Sequence, residues 1–491
     1  MNTIYQNSKR LYFRGLLFFL LTLSVSCSKN FIDLAPESTT TTDLLYQTDS
    51  HFQDAVNACY TAMQEQYQNF WIFADVPGED VAQEVVKNDA WYFADAFTMP
   101  DNVEMLHDTW SNYYVVINRA NIILEKIEEA DESLLQSKDR HIGEAKFLRA
   151  MAYFDLVRIF GGVPLITQTL APHDAYAIGR TDVQQVYNEL IIPDLLDAAA
   201  RLPRSYSGTH IGRATSGAAL AMLGRVYLTT GDFVNAELTL QEVTTMGYAL
   251  LPHFEDLYDY GLDEHHSEYI FDIEYEEGLG NQGSVFTHRF MPNSSAMADF
   301  YDIRGGELSE TFSPTDQLRA LFIEEDQRRD ITVGVSGGFY DASGSFQRLP
   351  QATSQNYTKK YITPVQLVND SRANWKVIRY ADVLLMYAEA LNENGKTSEA
   401  LAPLNAVRSR AGLSPYDLSA PDDIREKIYL ERRMELAFEG HRWFDLLRTG
   451  RALDVLAPLG MQSFRVLFPI PLSQIQVINN PAIFPQNPGY N

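Results

Sequence analysis

Cysteine is scarce in this chain: Cys27 and Cys59 are the only two in 491 residues. That excludes a disulfide-rich framework and a cysteine-based zinc module. Cys59 lies on the spacing Phe52, Val56, Cys59, Met63, an apolar helical face, which predicts a buried, unreactive thiol. Basic residues are also in short supply. There are 39 Lys and Arg against 65 Asp and Glu, and the formal net charge is −26. Nucleic-acid binding and electrostatic adhesion to anionic lipid both need the opposite sign. Metal motifs are missing too. No H-E-x-x-H occurs, Glu264-His265-His266 stands alone, and the acidic stretch 256–268 has Tyr258 and Tyr260 where a calcium loop needs oxygen ligands. No metal and no cofactor is expected, and that stretch reads as a solvated acidic loop.

Long apolar runs are absent except for one, and it ends at Cys27. Lys9, Arg10 and Arg14 precede an apolar core over 16–25, Ser26 follows, and no Asp or Glu occurs ahead of the cysteine. This is the layout of a bacterial secretory signal. The run is too short to span a bilayer, which takes about 20 residues. A cysteine after a small residue at this point is where lipoprotein signal peptidases cut. The expected product begins at a lipidated (palmitate-bearing) Cys27 and continues as a polar, Thr-rich tether. The alternative is an ordinary cleaved signal with an incidental cysteine.

What the chain has in quantity is helical periodicity and aromatic rings, with 27 Tyr, 27 Phe and 5 Trp. Helices are expected from Asp49, through Trp110, Tyr113, Ile117, Ala120, Leu124 and Ile127, and over 138–160, where Gly161-Gly162 and Pro164 supply the stop. Asp182 caps a further helix with a kink at Pro193. Leu223-Gly224, Tyr227, Ala236 and Leu240, with a turn at Gly231-Asp232, fall at tetratricopeptide spacing. Leu391, Gly395, Ala400 and Leu404 echo it. Helices are expected again over 378–394, 398–411 and 424–448. Residues 70–100 read as loop. Residues 269–350 read as short strands and irregular loops, with 284–290 alternating like a strand. The proline-rich tail demands extended backbone and is expected to wrap over the helices.

In this order the chain resembles the SusD/RagB family of outer-membrane nutrient-binding lipoproteins. The resemblance rests on Ser26-Cys27-Ser28 with Phe31-Ile32-Asp33-Leu34; on Trp110, Tyr114, Asn118 and Asn121; and on Gly143-Glu144-Ala145-Lys146-Phe147-Leu148-Arg149-Ala150 running into Phe160-Gly161-Gly162-Val163-Pro164-Leu165. It continues through Gly212-Arg213-Ala214-Thr215, Ile378-Arg379-Tyr380-Ala381-Asp382, Glu431-Arg432, Glu439-Gly440 with Arg442-Trp443-Phe444-Asp445, and Phe468-Pro469-Ile470-Pro471 with Gln486-Asn487-Pro488-Gly489-Tyr490. It implies a mainly α fold of tetratricopeptide-like helix pairs with long irregular insertions and a few short strands. The expected divisions are a signal over 1–26, a lipidated tether over 27–45, helical regions over 46–260 and 376–491, and a ligand-facing insertion over 261–375. It also implies a surface-exposed lipoprotein of the outer membrane. Such a protein catches oligosaccharides, or peptides in some members, and passes them to a SusC-like TonB-dependent transporter.

Several motifs admit other chemistries. Gly278, Gly280 and Gly283 match G-x-G-x-x-G, and Gly334 to Gly338 match G-x-S-x-G, but neither is expected to open the helix that a dinucleotide site or a nucleophile elbow requires. Glu431, Glu435 and Glu439 could pair for glycoside hydrolysis, although neighbouring arginines favour internal ion pairs. The expected binding residues are aromatics outside the helical periodicity: Trp71, Trp91, Tyr92, Phe300, Tyr301 and Tyr340, with Arg304, Asp80, Asn88, Asp89 and Asp302 as polar neighbours. Ring faces suit the C–H faces of sugars. The reading is a non-enzymatic glycan-binding lipoprotein. Its rivals are a surface glycoside hydrolase, a solute-binding protein of an ABC importer, disfavoured by the helical pattern, and a peptide-binding member of the same family.

Overall fold

A computed structural model describes residues 45–490, apart from 83–88, 263, 281, 352–353 and 419–423. Cys27, the expected signal, nearly all of the expected tether and Asn88 lie outside the described residues. The long helices are α1 (Asp49–Tyr67), α2 (Glu104–Glu129), α3 (Lys138–Phe160), α4 (Ile192–Arg201), α5 (Ser216–Thr230), α6 (Phe233–Thr244), α7 (Tyr380–Glu393), α8 (Thr397–Arg410) and α9 (Ile424–Glu435). Each packs on the next in order, except that α9 returns onto both α7 and α8.

Local signals explain the helix ends. Thr48 Oγ1 accepts from His51 N at 3.4 Å and starts α1. Phe52, Val56, Cys59 and Met63 are fully buried, and burial pushes the Cys59 thiol up to about 12. The α5–α6 turn is built as its spacing predicts. Gly231 adopts φ +77°, and Asp232 Oδ1 accepts from Asn235 N at 3.2 Å. Gly224 faces Leu240 so closely that an added Cβ would lie 2.5 Å from Leu240 Cδ2. The α7–α8 turn repeats this plan with Gly395 at φ +76° and buried Ala400 and Leu404. The 135 residues between the two pairs (245–379) separate them only in sequence, because α6 packs directly on α7. Asn394 Nδ2 donates to Phe233 O at 2.9 Å across that junction.

Several elements differ from their expectation. Residues 70–100 contain a helical turn at Trp71–Ala74, strand β1 (Val81–Ala82) and a short helix at Ala90–Asp95. Ahead of Pro193, which lies in the first turn of α4, the helix is interrupted by a π-helical turn, Tyr187–Ile191. Residues 284–290 are not a strand. Ser284 makes one bridge to Ser371, and Phe286–Phe290 is a helical turn that buries both its terminal rings. Ile378 and Arg379 end strand β6 (Trp375–Arg379), which pairs with β2 (Tyr269–Ile273). Strand β3 (Ser313–Pro314) pairs with β1, and β4 (Gly338–Tyr340) pairs with β5 (Phe346–Arg348), all antiparallel. The expected long helix over 424–448 breaks after Glu435 and resumes at Arg442–Arg448. Gly440 turns there at φ +79°, and its amide donates to Asp75 Oδ2 at 2.9 Å. In the tail, Phe468 N donates to Ile159 O at 2.9 Å and Asn487 Nδ2 to Phe160 O at 3.0 Å, so the tail covers the end of α3. It also contains a short helix, Leu472–Ile478.

A buried charge network joins these parts. Arg379 donates to Glu439 at 2.7 Å, Glu268 at 2.9 Å and Glu435 at 2.5 Å. Arg410 bridges Glu268 and Glu435. Arg328 holds Asp326, Glu431 and Glu435 at 2.8, 2.7 and 3.2 Å. Arg408 reaches Glu431 at 3.1 Å, and Lys360 reaches Glu439 at 2.6 Å. Five cations thus face five carboxylates. Burial opposes ionisation of Glu435, but Arg410, Arg379 and Arg328 outweigh it and bring the carboxyl down to about 2. The carboxylate triplet Glu431, Glu435 and Glu439 is therefore structural: all three are buried and engaged by cations.

Two expectations follow. Gly224→Ala should cost about 1–3 kcal/mol, because Leu240 cannot withdraw without disturbing the α5–α6 contact; a chemical denaturation midpoint equal to wild type would show that the contact gives way. The second concerns acid. The Glu435 pKa lies below its unfolded value, so its contribution to stability is full above about 4.5 and is lost as pH falls toward about 2. Urea midpoints should drop steadily across that window, and a flat profile would mean that the network does not depend on ionised carboxylates.

Candidate functional site

The charge network also carries the walls of a broad cleft. Tyr258 OH donates to Glu439 Oε1 at 2.7 Å. The Phe254 ring lies 5.2 Å from the Arg410 guanidinium and 5.3 Å from Lys360 Nζ. These contacts fix the segment 254–260. Opposite it, Tyr361 OH donates to Phe438 O at 2.6 Å, and Lys359 N donates to Ile331 O at 2.8 Å. The third wall is the end of the helix Ser295–Phe300. It is held by Ile303 N to Ala298 O at 2.8 Å and by a parallel bridge between Ile303 and Val365.

The space between these walls is a cleft of about 710 Å³, lined by Glu255, Asp256, Tyr258, Asp259, Tyr260, Phe300, Tyr301, Asp302, Ile331, Lys359, Ile362 and Pro364. That size suits a small ligand. Phe300 is 40% exposed and Tyr260 45%. Both are large rings left in solvent where a stacking partner could lie. Phe300 is braced from behind by Tyr301 at 4.8 Å, edge to face, and by Phe339 at 5.1 Å. Burial, with Asp330 adding to it, pushes the Tyr301 phenol up to about 12, so it stays a neutral donor and acceptor. Asp302 sits at φ +53° and is tied to Arg304 at 3.2 Å and to Gln366 at 3.1 Å.

The structure brings together Phe300, Tyr301 and Asp302 from the residues expected on sequence grounds. Trp71 is a correction. It is 1% exposed, packs edge-on to Phe290 and Phe312, and donates its indole N–H to Gln68 O at 3.0 Å, so it has no face to offer. Asp80 is a second correction. It is buried and chelated by Arg433, a packing role. Trp91 is partly buried, stacked on Trp71 at 6.2 Å and covered by Arg289 at 5.4 Å. Trp91, Tyr92 and Asp89 sit together on or beside the helix Ala90–Asp95 and do not line the cleft. Tyr340 is 58% exposed, meets Phe346 across the β4–β5 hairpin at 5.4 Å, and points away from Phe339 by strand alternation. Arg304 lies just outside the lining. Tyr258, Tyr260 and their flanking carboxylates were missed because the acidic loop reads as solvated. The signal was there in the two tyrosines that spoil it as a calcium loop.

The rival motifs take structural roles. Gly278 and Gly280 form a turn, and the helix that follows has five residues, with Phe286 and Phe290 buried. Ser336 stands between a helix end and β4, with no helix after it. Among the described residues no group of three His, Cys, Asp or Glu could hold a metal ion. A second, smaller cavity of about 260 Å³ lies between α1 and β2, lined by Tyr60, Gln64, Arg213 and Glu274 among others.

Comparison with known proteins gives a consistent answer. Residues 258–490 match the family described as the SusD family, and residues 30–228 match the one described as "Starch-binding associating with outer membrane". The chain is 29% identical to SusD-like protein P2 of Formosa agariphila over 511 residues, 93% of this chain and 94% of that one. Among solved structures, a "Laminarin binding SusD-like protein" superposes with a TM-score of 0.76 at 30% identity, covering 91% of this chain and all of its own. Surface glycan-binding protein A from Bacteroides thetaiotaomicron, solved with laminarihexaose, shares the fold with a TM-score of 0.77 at 20% identity. Matched across both halves in sequence and over 91% of its length in structure, this chain belongs to the SusD/RagB family.

Proposed function

We propose that this protein is a glycan-capturing lipoprotein of the outer membrane that delivers oligosaccharides to a SusC-like TonB-dependent transporter. The observation that carries the reading is the cleft: two exposed rings, Tyr260 and the braced Phe300, stand beside carboxylates in one cavity of about 710 Å³. Rings take the apolar faces of a sugar, and the carboxylates accept from its hydroxyls. The laminarin-binding relative supports a carbohydrate ligand. Cys27 supplies the lipid anchor, and the polar residues after it let the body move over the transporter.

Catalysis plays no part in this reading, because capture needs only affinity and the transporter provides direction. The rival hydrolase predicts products from a glycan panel, and their formation would replace the binding reading. A peptide preference would keep the family and change the ligand.

Calorimetry against a panel of oligosaccharides tests the cleft. Phe300→Ala and Tyr260→Ala should each weaken binding by about tenfold or more, with unfolding midpoints near wild type. Trp71→Ala should instead lower stability by about 3–5 kcal/mol, as for any large buried aromatic. Full affinity in both Phe300→Ala and Tyr260→Ala would move the site elsewhere, with Trp91 and Tyr92 next to be tested. For the anchor, labelled palmitate should enter the wild type and not Cys27→Ala. For the partner, a large barrel should co-purify from detergent-solubilised membranes.

A further inference from the structure

We infer that the cleft selects uncharged glycans and rejects anionic ones. The inference rests on the glycan-binding reading above and adds the charge class of the ligand. Four acids, Glu255, Asp256, Asp259 and Asp302, line the cleft, against one cation, Lys359. That cation is already engaged, with Lys359 Nζ 2.6 Å from Asp330. Arg304, just outside the lining, is shared between Asp299 at 2.9 Å and Asp302 at 3.2 Å. Among the described residues, no Lys, Arg or His forms an ion pair with Glu255, Asp256 or Asp259. Asp259 Oδ1 accepts only a local backbone bond, from Gly261 N at 2.9 Å.

The consequence is asymmetric. A neutral sugar brings hydroxyl donors, and carboxylates are strong acceptors for them. A uronate or sulfated sugar brings negative charge to a wall of like sign with no cation free to meet it, and juxtaposed like charges suppress the wrong partner. The deeper cations offer no relief. Lys360, Arg379 and Arg410 are buried behind Phe254 and Tyr258 and are neutralised by Glu268, Glu435 and Glu439. A basic peptide would satisfy the charge and could set its arginines on the rings; the laminarin-binding relative favours the neutral glycan, and an oligolysine competitor separates the two.

Titration calorimetry with hexasaccharides tests this on the full chain. Neutral probes are glucan, xylan and mannan hexamers, and anionic probes are galacturonate and alginate hexamers. At low salt the best anionic probe should bind at least about tenfold more weakly than the best neutral one, and the gap should shrink as salt shortens the screening length below about 10 Å. The combined variant Glu255→Gln, Asp256→Asn, Asp259→Asn should narrow the gap, read as the ratio of anionic to neutral affinity, because it removes the like charge while amide oxygens still accept from hydroxyls. These side chains are surface groups, and an unchanged melting temperature in the variant confirms that it is folded. Anionic binding equal to or tighter than neutral binding would overturn the inference while leaving glycan capture intact. So would a gap that the variant does not move, or an oligolysine peptide that outcompetes every glycan. If no glycan of either charge binds, the glycan-binding reading fails and the inference falls with it.

Discussion

The buried ion network around Arg379 is the constraint on which the architecture depends. Glu268 enters from the turn before β2, Asp326 and Arg328 from the insertion, Lys360 from the segment before β6, Arg408 and Arg410 from α8, and Glu431, Glu435 and Glu439 from α9 and the turn after it. Desolvating so many charges is expensive, and only complete mutual pairing offsets that cost. A partial assembly would leave a buried charge bare. The network therefore allows one arrangement of the insertion against the helix pairs.

That arrangement places the cleft. Tyr258 hangs on Glu439, and the ring of Phe254 lies against the network cations, so the acidic loop is a fixed wall although Glu255, Asp259 and Tyr260 face solvent. A second buried cluster locks the helices behind it. Asp382 on α7 accepts from Arg225 on α5 at 2.6 Å and from Arg432 on α9 at 2.8 Å. The cleft rim thus consists of short irregular segments on a rigid support, which suits a binding site whose rings must be held ready.

Much of the helical frame was legible in the sequence, for local reasons. The end of α3 at Gly161, the Gly231-Asp232 turn and the Gly395 turn depend on residues within a few positions of one another. The errors arose where a distant partner decides. Phe286 and Phe290 read as part of a strand until the core on both sides of them is known. Trp71 looked like a loop aromatic because its partners, Phe290 and Phe312, lie more than 200 residues away. The break after Glu435 depends on Asp75, Lys360 and Arg379, none of them near it in the chain.

The sequence by itself determined the family, the helix pairs with their turns, the excess of acid and the single leader-like apolar run ending at Cys27, because each is written in neighbouring residues or in composition. Only the tertiary structure decided which aromatics face solvent. Trp71, Phe300 and Tyr340 are alike as residues in irregular sequence, yet one is core, one lines the cleft and one stands on a hairpin away from it. Exposure is set by what packs behind a ring, and for these rings the packing comes from segments that the chain brings together only by folding.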